Sequence, residues 1–230
     1  NYGIFMVKNI NIEGNKKVRV YETLKRRIIE GTLSPGLPIN EADFARELGV
    51  SKTPIREALR QLERDGFVEN TPGRGSIISH ITPLDIHEII ELREIIETGA
   101  AKRVARLQRN KEELKKKREE HKQLLKDEKK SYQYVYDWGD WEDIHLSIIR
   151  AVGNQTLLKM YNGLLDRIKR IRNHFGRRFT QRRLQEIITE HIEIMDAILE
   201  GDPVHAEEAV EKHLQNAGSF IMGLSVNPKG

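Results

Sequence analysis

The chain has 230 residues, of which 38% are hydrophobic and 32% are charged, and it contains no cysteine. The lack of cysteine excludes a disulfide framework and thiolate chemistry, and no segment approaches the ~20 consecutive apolar residues of a membrane span. A net charge of +4 permits nucleic acid as a partner without requiring it. The length favours two domains. Because no export signal follows the expected start at Met6, we predict a cytoplasmic protein without membrane contact.

Residues 6–80 carry the pattern of three short helices followed by a hairpin. The apolar stripes of the three helices are Val20, Leu24 and Ile28; Phe44 and Leu48; and Ile55, Leu59 and Leu62. Asn40 can cap the second helix, and Pro54 fits the first turn of the third. Two strands are predicted at 67–70 and 76–79, on either side of a glycine-containing tip. This order predicts a winged helix-turn-helix as the first domain.

The third predicted helix carries basic and hydroxyl side chains on the side opposite its apolar stripe. These residues are Lys52, Thr53, Arg56 and Arg60. In a major groove, Arg56 can form a bidentate pair with guanine, while Lys52 and Thr53 near the helix N-terminus suit phosphates or base edges. Arg74 at the hairpin tip can enter a minor groove. A solvated basic face is the alternative for any one of these residues, but as a set they predict a surface that binds DNA.

The stretch 21–82 closely resembles the winged helix-turn-helix of the GntR family of bacterial regulators, above all in the segment LGVSKTPIREALRQLE at 48–63. The resemblance implies a double-stranded DNA operator as partner. The contacts that it implies are Lys52, Thr53, Pro54, Arg56, Gly73, Arg74 and Gly75. Many members also have an arginine that contacts DNA early in the second helix. This chain has Ala42 there, so we expect a different operator preference.

From Ile81 onward the hydrophobic pattern is helical throughout, which predicts a bundle. The predicted helices span 84–107, 111–126, 132–152, 155–175, 180–200 and 203–224. Looser signatures here resemble the helical FCD domain of the fatty-acid-regulator branch of the GntR family. They lie at 91–97, 144–145, 152–154, 190–192, 201–202 and 213–214. The predicted fold class is therefore mainly α, with an N-terminal winged helix-turn-helix and a C-terminal all-helical bundle at 81–227.

Three histidines lie on the apolar faces of three different predicted helices. They are His145, His191 and His213. A single inward histidine is usually a satisfied core residue, but three in one bundle make a good ligand set for a zinc- or nickel-class ion. We therefore predict a divalent metal site at these residues. The alternative is that no metal binds and the histidines only hydrogen-bond a ligand.

The identity of a fourth metal ligand is open. Family members that bind metal have an aspartate one helical turn before the first histidine, where this chain has Trp141. Asp140 and Asp143 are near in sequence, but at about 140° and 200° around a helix they point away from the face of His145. We expect three histidines completed by water or by the effector, if metal binds.

Arg93 and Glu97 continue the inward apolar line of the first bundle helix, where charge is costly unless it is paired. An i,i+4 pair between them satisfies that cost, while the alternative is that Arg93 binds an acidic effector bidentately. The family resemblance favours the alternative and implies a small carboxylate metabolite, so Arg93, Glu97 and Asn154 are the predicted effector residues. The charge run at 111–130, interrupted by His121 and three leucines, is predicted to be a solvated helix face.

These features favour an effector-controlled transcription regulator. It is expected to be a homodimer, because one recognition helix reads only half of a symmetric operator. The sequence has no His-Glu-x-x-His motif, nucleophile elbow or glycine-rich phosphate loop to support turnover, so we expect no enzyme activity. Two alternatives are a helical domain that only dimerises and a metal-dependent hydrolase fused to a DNA-binding head.

Overall fold

The computed structural model describes residues 16–71, 75–127 and 144–226 of the chain. The chain divides into two compact units between His80 and Ile81. Among the helices within the described ranges, none combines the length and the apolar composition needed to cross a membrane.

The first unit has the helices and the two-stranded sheet of a winged helix-turn-helix, in the predicted order. Its elements are α1 (Lys16–Ile29), α2 (Glu41–Leu48), α3 (Lys52–Arg64), β1 (Val68–Thr71) and β2 (Gly75–Ile78). The side chain of Asn40 accepts hydrogen bonds from the backbone of Ala42 and Asp43 and so caps α2. Gly49 ends that helix with a φ of 64°, a left-handed conformation that glycine adopts without steric strain.

The apolar stripes of the three helices meet in one core. Leu24, Ile55 and Leu62 are at most 2% exposed, and they pack with Phe67 and Ile78 of the hairpin region. The strands β1 and β2 pair in antiparallel orientation, so the hairpin covers one side of this core. The exposed sides of the helices, α3 in particular, remain available for a partner.

The second unit is helical throughout its described residues. Its elements are α4 (Pro83–Leu107), α5 (Glu112–Leu124), α6 (Ile144–Ala151), α7 (Gln155–Gly176), α8 (Gln181–Glu200) and α9 (Pro203–Val226). Thr82 caps α4 in a reciprocal capping box with Asp85. The predicted helix at 132–152 has only its last part, α6, within the described residues, and the other bundle helices lie within two residues of their predicted bounds. The mainly helical fold class is confirmed.

Helix α4 is the central element of the second unit. It packs against α6, α8 and α9, and its Ile86 is fully buried. The facing helices contribute Ile148, Ile194 and Val210, which are also fully buried. Because these helices enclose a common core with α4, polar residues on their inward faces are brought close together.

Candidate DNA-binding surface and metal centre

The exposed side of α3 carries the predicted DNA contacts of the recognition helix. Lys52, Thr53, Arg56 and Arg60 are all exposed. They lie opposite the fully buried Ile55, as the helical repeat requires. The structure therefore leaves the basic side of α3 accessible to a DNA groove.

Arg56 has an acidic partner at the start of α2. Its Nε donates to Glu41 Oε2 at 2.7 Å, and the two side chains are 60% and 34% exposed. An exposed pair of this kind contributes little to stability, but it orients the guanidinium. Glu41 directly precedes Ala42, so the start of α2 presents a carboxylate beside the position where the family resemblance implies an arginine.

The other predicted DNA contacts belong to the first turn of α3 and to the wing. Pro54 is half-buried in that first turn. Gly75 is exposed at the start of β2 with a φ of 73°, a conformation that favours glycine. Gly73 and Arg74 lie outside the described residues, so the described part of the surface consists of the α3 face and Gly75.

Three histidines from three helices meet in the core of the second unit. His145 on α6, His191 on α8 and His213 on α9 are 3%, 3% and 4% exposed. One ring nitrogen of each lies within 4.8 Å of the other two, and the ring centroids are 4.7–5.3 Å apart. The three residues predicted as metal ligands are thus adjacent in the fold.

Each of the three imidazoles has a polar partner at its Nδ1 atom. The contacts are His145 with Glu97 Oε2 at 2.6 Å, His213 with Glu190 Oε2 at 2.7 Å, and His191 with Nε2 of a fourth histidine, His121, at 3.2 Å. A histidine that donates from Nδ1 keeps its lone pair on Nε2. Contacts of this type orient the histidine ligands in metal sites.

Burial favours the neutral forms of His191 and His213. It lowers the pKa of His191 well below its ordinary value, and the neighbouring His213 and His121 add to the effect. Burial also lowers the pKa of His213 to about 4, although the hydrogen bond with Glu190 acts in the opposite direction. Neutral imidazole is the form that binds a metal ion.

Glu97 is the centre of a buried polar network in contact with His145. Arg93 Nε and the hydroxyl of Tyr161 both donate to Glu97 Oε1 at 2.7 Å. Burial raises the pKa of Glu97, but Arg93 and His145 outweigh burial and lower it to about 2. The i,i+4 pair considered from the sequence is present. Both oxygens of Glu97 contact protein groups, and its predicted role as an effector contact stays a prediction.

A small cavity of about 40 Å³ borders the three histidines. Its lining residues are Arg93, His145, Arg172, Phe179, Ile187, His191, His213, Ala217 and Ile221. Arg93 therefore lines the same cavity as the three histidines, and Arg172 on α7 is a second basic residue there, for which no role was predicted. Basic groups beside an apolar wall suit a small anion with an apolar part.

Asn154 is separate from this cavity. It is exposed, and its side-chain oxygen accepts hydrogen bonds from the backbone nitrogens of Thr156 and Leu157 at 3.0 and 3.1 Å. This is the geometry of an N-cap, so Asn154 begins α7. It borders a different groove on the surface, together with Arg103, and its predicted role as an effector contact stays a prediction.

His121 and Glu190 belong to the site although no role was predicted for them. His121 is 2% exposed, and it continues a buried stripe of α5 that includes Leu114 and Leu124. Glu190 directly precedes His191 in the sequence. Burial raises the pKa of Glu190, but hydrogen bonds from His213 and Arg183 outweigh burial and lower it to about 2. Glu190 is therefore an ionised acceptor for His213.

The residues considered for a fourth ligand from the sequence lie outside the described residues. They are Trp141, Asp140 and Asp143. Among the described carboxylates, Glu97 Oε2 lies 2.6 Å from Nδ1 of His145, and Glu190 Oε2 accepts a hydrogen bond from Nδ1 of His213. These two residues orient the predicted ligands, so neither replaces the family's aspartate.

Comparison with known proteins identifies both units. Residues 16–78 match the bacterial regulatory proteins of the gntR family, and residues 88–216, more than half of the chain, match the FCD domain. The chain is 28% identical to the "Probable D-xylose utilization operon transcriptional repressor" of Paenarthrobacter nicotinovorans, over 85% of this chain and 84% of that protein. It is also 28% identical to the Uxu operon regulator of Haemophilus influenzae, over 98% of this chain and 89% of that protein.

Solved structures show the same fold. A GntR-type regulator from Rhodococcus sp. RHA1 superposes with a TM-score of 0.67 at 20% sequence identity, over 90% of this chain and 97% of that chain. The related proteins are transcription regulators and not enzymes. The exposed basic face of α3 and the helical second unit are therefore those of a DNA-binding transcription regulator, and the chain belongs to the GntR family with a C-terminal FCD domain.

Proposed function

We propose that this regulator senses a small carboxylate-bearing metabolite in its helical unit. The observation that carries the proposal is the meeting of three buried histidines, each with a polar partner at Nδ1. Arg93 lines the adjoining cavity, and a guanidinium matches the geometry of a carboxylate. The ligand class follows from this combination of clustered imidazoles and a buried cation.

The donor set fits a divalent ion of the zinc or nickel class. Neutral imidazole nitrogens are common ligands for such ions, and the contacts of Glu97 and Glu190 are carboxylate–histidine contacts typical of metal sites. His145, His191 and His213 would hold the ion. When bound, it would supply positive charge that attracts a carboxylate oxygen.

The size of the cavity favours a ligand-induced change within the helical unit. Its volume is about 40 Å³, whereas ligand pockets commonly measure about 300–1,000 Å³. The cavity as described has room for an ion or a water molecule, so a metabolite requires a wider form. A ligand that binds the wider form more tightly than the narrow form shifts the population towards the wider form. This difference in affinity between the two forms is what regulation by an effector requires.

The protein is expected to act on double-stranded DNA as a homodimer. One α3 helix can read only one half-site, and symmetric operators need two. The exposed Lys52, Arg56 and Arg60 on one side of α3 support this use of the helix. The effector would then control how well two heads together bind one operator.

Metal analysis and operator binding test the proposal together. We expect the parent protein to bind one zinc or nickel ion per chain and His145→Ala to lose most of it. An operator sequence is first selected from random DNA with the parent protein. A panel of organic acids is then screened, and we expect at least one acid to change the affinity of the parent for this operator. His145→Ala should lose this response but keep the ligand-free affinity for DNA, since His145 belongs to the helical unit.

His87→Ala is the matched control, because His87 is an exposed histidine of α4 in the same unit. It should leave metal content and response at parent values. Unchanged metal content and response in His145→Ala would remove His145 from the site. A parent protein that responds to no acid and binds no metal would favour the alternative in which the helical unit only dimerises.

A further inference from the structure

His121 on α5 connects the proposed metal ligand His191 to the backbone of a neighbouring helix. His121 is 2% exposed, and its Nε2 lies 3.2 Å from Nδ1 of His191. Its own Nδ1 lies 2.8 Å from the backbone carbonyl oxygen of Lys117. The three groups therefore form a buried chain of hydrogen bonds that ends at one of the three clustered imidazoles.

The direction of these hydrogen bonds follows from the chemistry of the carbonyl. A carbonyl oxygen only accepts, so the Nδ1 atom of His121 must carry a proton. His121 is buried, and burial disfavours the charged imidazolium. In the neutral ring the Nε2 atom has the lone pair, and it accepts from Nδ1–H of His191. The lone pair of His191 is consequently on its Nε2 atom, the nitrogen that a metal ion would use.

The packing of α5 against α8 holds the two rings in place. Leu124 is one turn after His121 and packs with Ile188 and Ile192, which are on either side of His191 in the sequence. Leu124 and Ile188 are 4% and 1% exposed. This buried apolar contact holds the backbones of α5 and α8 together next to the two rings, which favours a constant distance between His121 and His191.

We propose that His121 is a positioning residue that selects the Nδ1–H tautomer of His191 and so prepares its Nε2 atom for a metal ion. The inference rests on the proposed function of the three-histidine site. His145 and His213 are oriented by the carboxylates of Glu97 and Glu190, whereas His121 orients His191 as an uncharged group. The three groups that contact the Nδ1 atoms are therefore two carboxylates and one neutral histidine. They carry one negative charge fewer than three carboxylates would, so more of an ion's positive charge remains to attract an anionic ligand.

Two substitutions separate the hydrogen bond from the packing of the ring. His121→Phe keeps an aromatic ring but removes the acceptor, and we expect the zinc affinity of the full chain to fall about 10–100-fold, as when other outer contacts of metal sites are lost. His121→Gln keeps an amide oxygen that can accept from His191, so its affinity should return most of the way to that of the parent. His87→Phe, at an exposed histidine of α4, should leave the affinity unchanged.

Nitrogen NMR of the imidazoles measures the tautomer of His191, which a change in packing alone would not alter. In the zinc-free full chain, we expect His191 to carry its proton on Nδ1 in the parent and in His121→Gln. His121→Phe should lose this preference. Cobalt(II) bound to each protein should show the same number of imidazole ligands, since His121 is not itself a ligand.

The outcomes are distinguishable. Parent-like zinc affinity and tautomer in His121→Phe would overturn the role of His121 and leave the proposed metal site intact. Failure of His121→Gln to recover affinity would assign the effect to packing, and loss of one imidazole from cobalt in His121→Phe would make His121 a direct ligand; both overturn the positioning role. A parent protein that binds no zinc or nickel would overturn this inference together with the proposed metal site.

Discussion

Arg56 on the recognition helix donates from Nε to Glu41 Oε2 at the first residue of α2, at 2.7 Å. The pair orients the guanidinium before DNA is present, and it also puts a carboxylate beside the surface that phosphates would approach. To pair with a base, Arg56 must either keep this partner within the groove or exchange it for a base edge. Both side chains are accessible to solvent, so the exchange requires no unfolding.

Arg56→Ala is expected to weaken sequence preference at the operator. A bidentate arginine–guanine pair contributes about 1–3 kcal/mol of discrimination, so the ratio of operator to random-DNA affinity should fall by about 5–150-fold. Competition binding at one fixed salt concentration measures this ratio. Arg64→Ala, which removes an exposed arginine from the end of α3, is the control. Retention of the parent's discrimination by Arg56→Ala would contradict the assignment of α3 as the recognition helix.

Glu41→Gln is expected to raise DNA affinity severalfold, for operator and random DNA alike. The substitution removes a negative charge near the phosphates and releases Arg56 from its ion pair. Titrations at two salt concentrations measure the effect, which should shrink at the higher one. Glu30→Gln removes one exposed carboxylate from the same unit, so an equal gain there would attribute the change to net charge alone.

Glu97→Gln is expected to destabilise the helical unit by about 3 kcal/mol or more, because it removes the charge of a buried ion pair. Glu97 is 1% exposed and contacts Arg93, His145 and Tyr161. Tyr161→Phe deletes a single hydrogen bond to the same carboxylate and should cost about 1.5–3 kcal/mol. Urea unfolding of the full chain compares the two variants. A smaller loss for Glu97→Gln than for Tyr161→Phe would show that the ion pair is not the main contribution.

Asn154→Ala is expected to reduce the free energy of unfolding by about 1 kcal/mol, the usual value of an N-cap, and to leave the effector response intact. Asn40 caps α2 with the same type of contact, so Asn40→Ala should lose a similar amount. Urea unfolding and operator binding with effector measure the two properties. An Asn154→Ala protein of parent stability that no longer responds to effector would instead assign Asn154 to the effector site.

Helical periodicity was sufficient to predict most of the fold and the meeting of three histidines. Which side of a helix faces inward is a local property of the sequence, so His145, His191 and His213 could be assigned to one core from their apolar neighbours. Their shared location then follows because α6, α8 and α9 all pack against α4. The contacts at the Nδ1 atoms could not be predicted in this way. The contact between His121 and His191, for example, depends on how α5 packs against α8.

The roles of the predicted effector residues could not be decided from spacing or from the family resemblance. Arg93 and Glu97 were correctly placed on an inward face, but spacing alone could not decide between a mutual pair and a contact with ligand. In the structure the pair is present and Arg93 also lines the cavity. Asn154 lies in a segment that resembles the family, yet its oxygen is used by two backbone groups of α7. A side chain at a helix start can cap or bind, and only its hydrogen bonds distinguish the two.

The three clustered imidazoles belong to helices that are well separated along the chain. An ion bound to all three would act as a cross-link, and a ligand that binds only the folded form at a concentration 100 times its Kd raises the free energy of unfolding by about 2.7 kcal/mol. The melting temperature of the helical unit would then rise with metal supply. A cell depleted of the ion would hold a sensor that is more easily unfolded and degraded, so metal availability would set the lifetime of the regulator as well as its capacity to bind an acid.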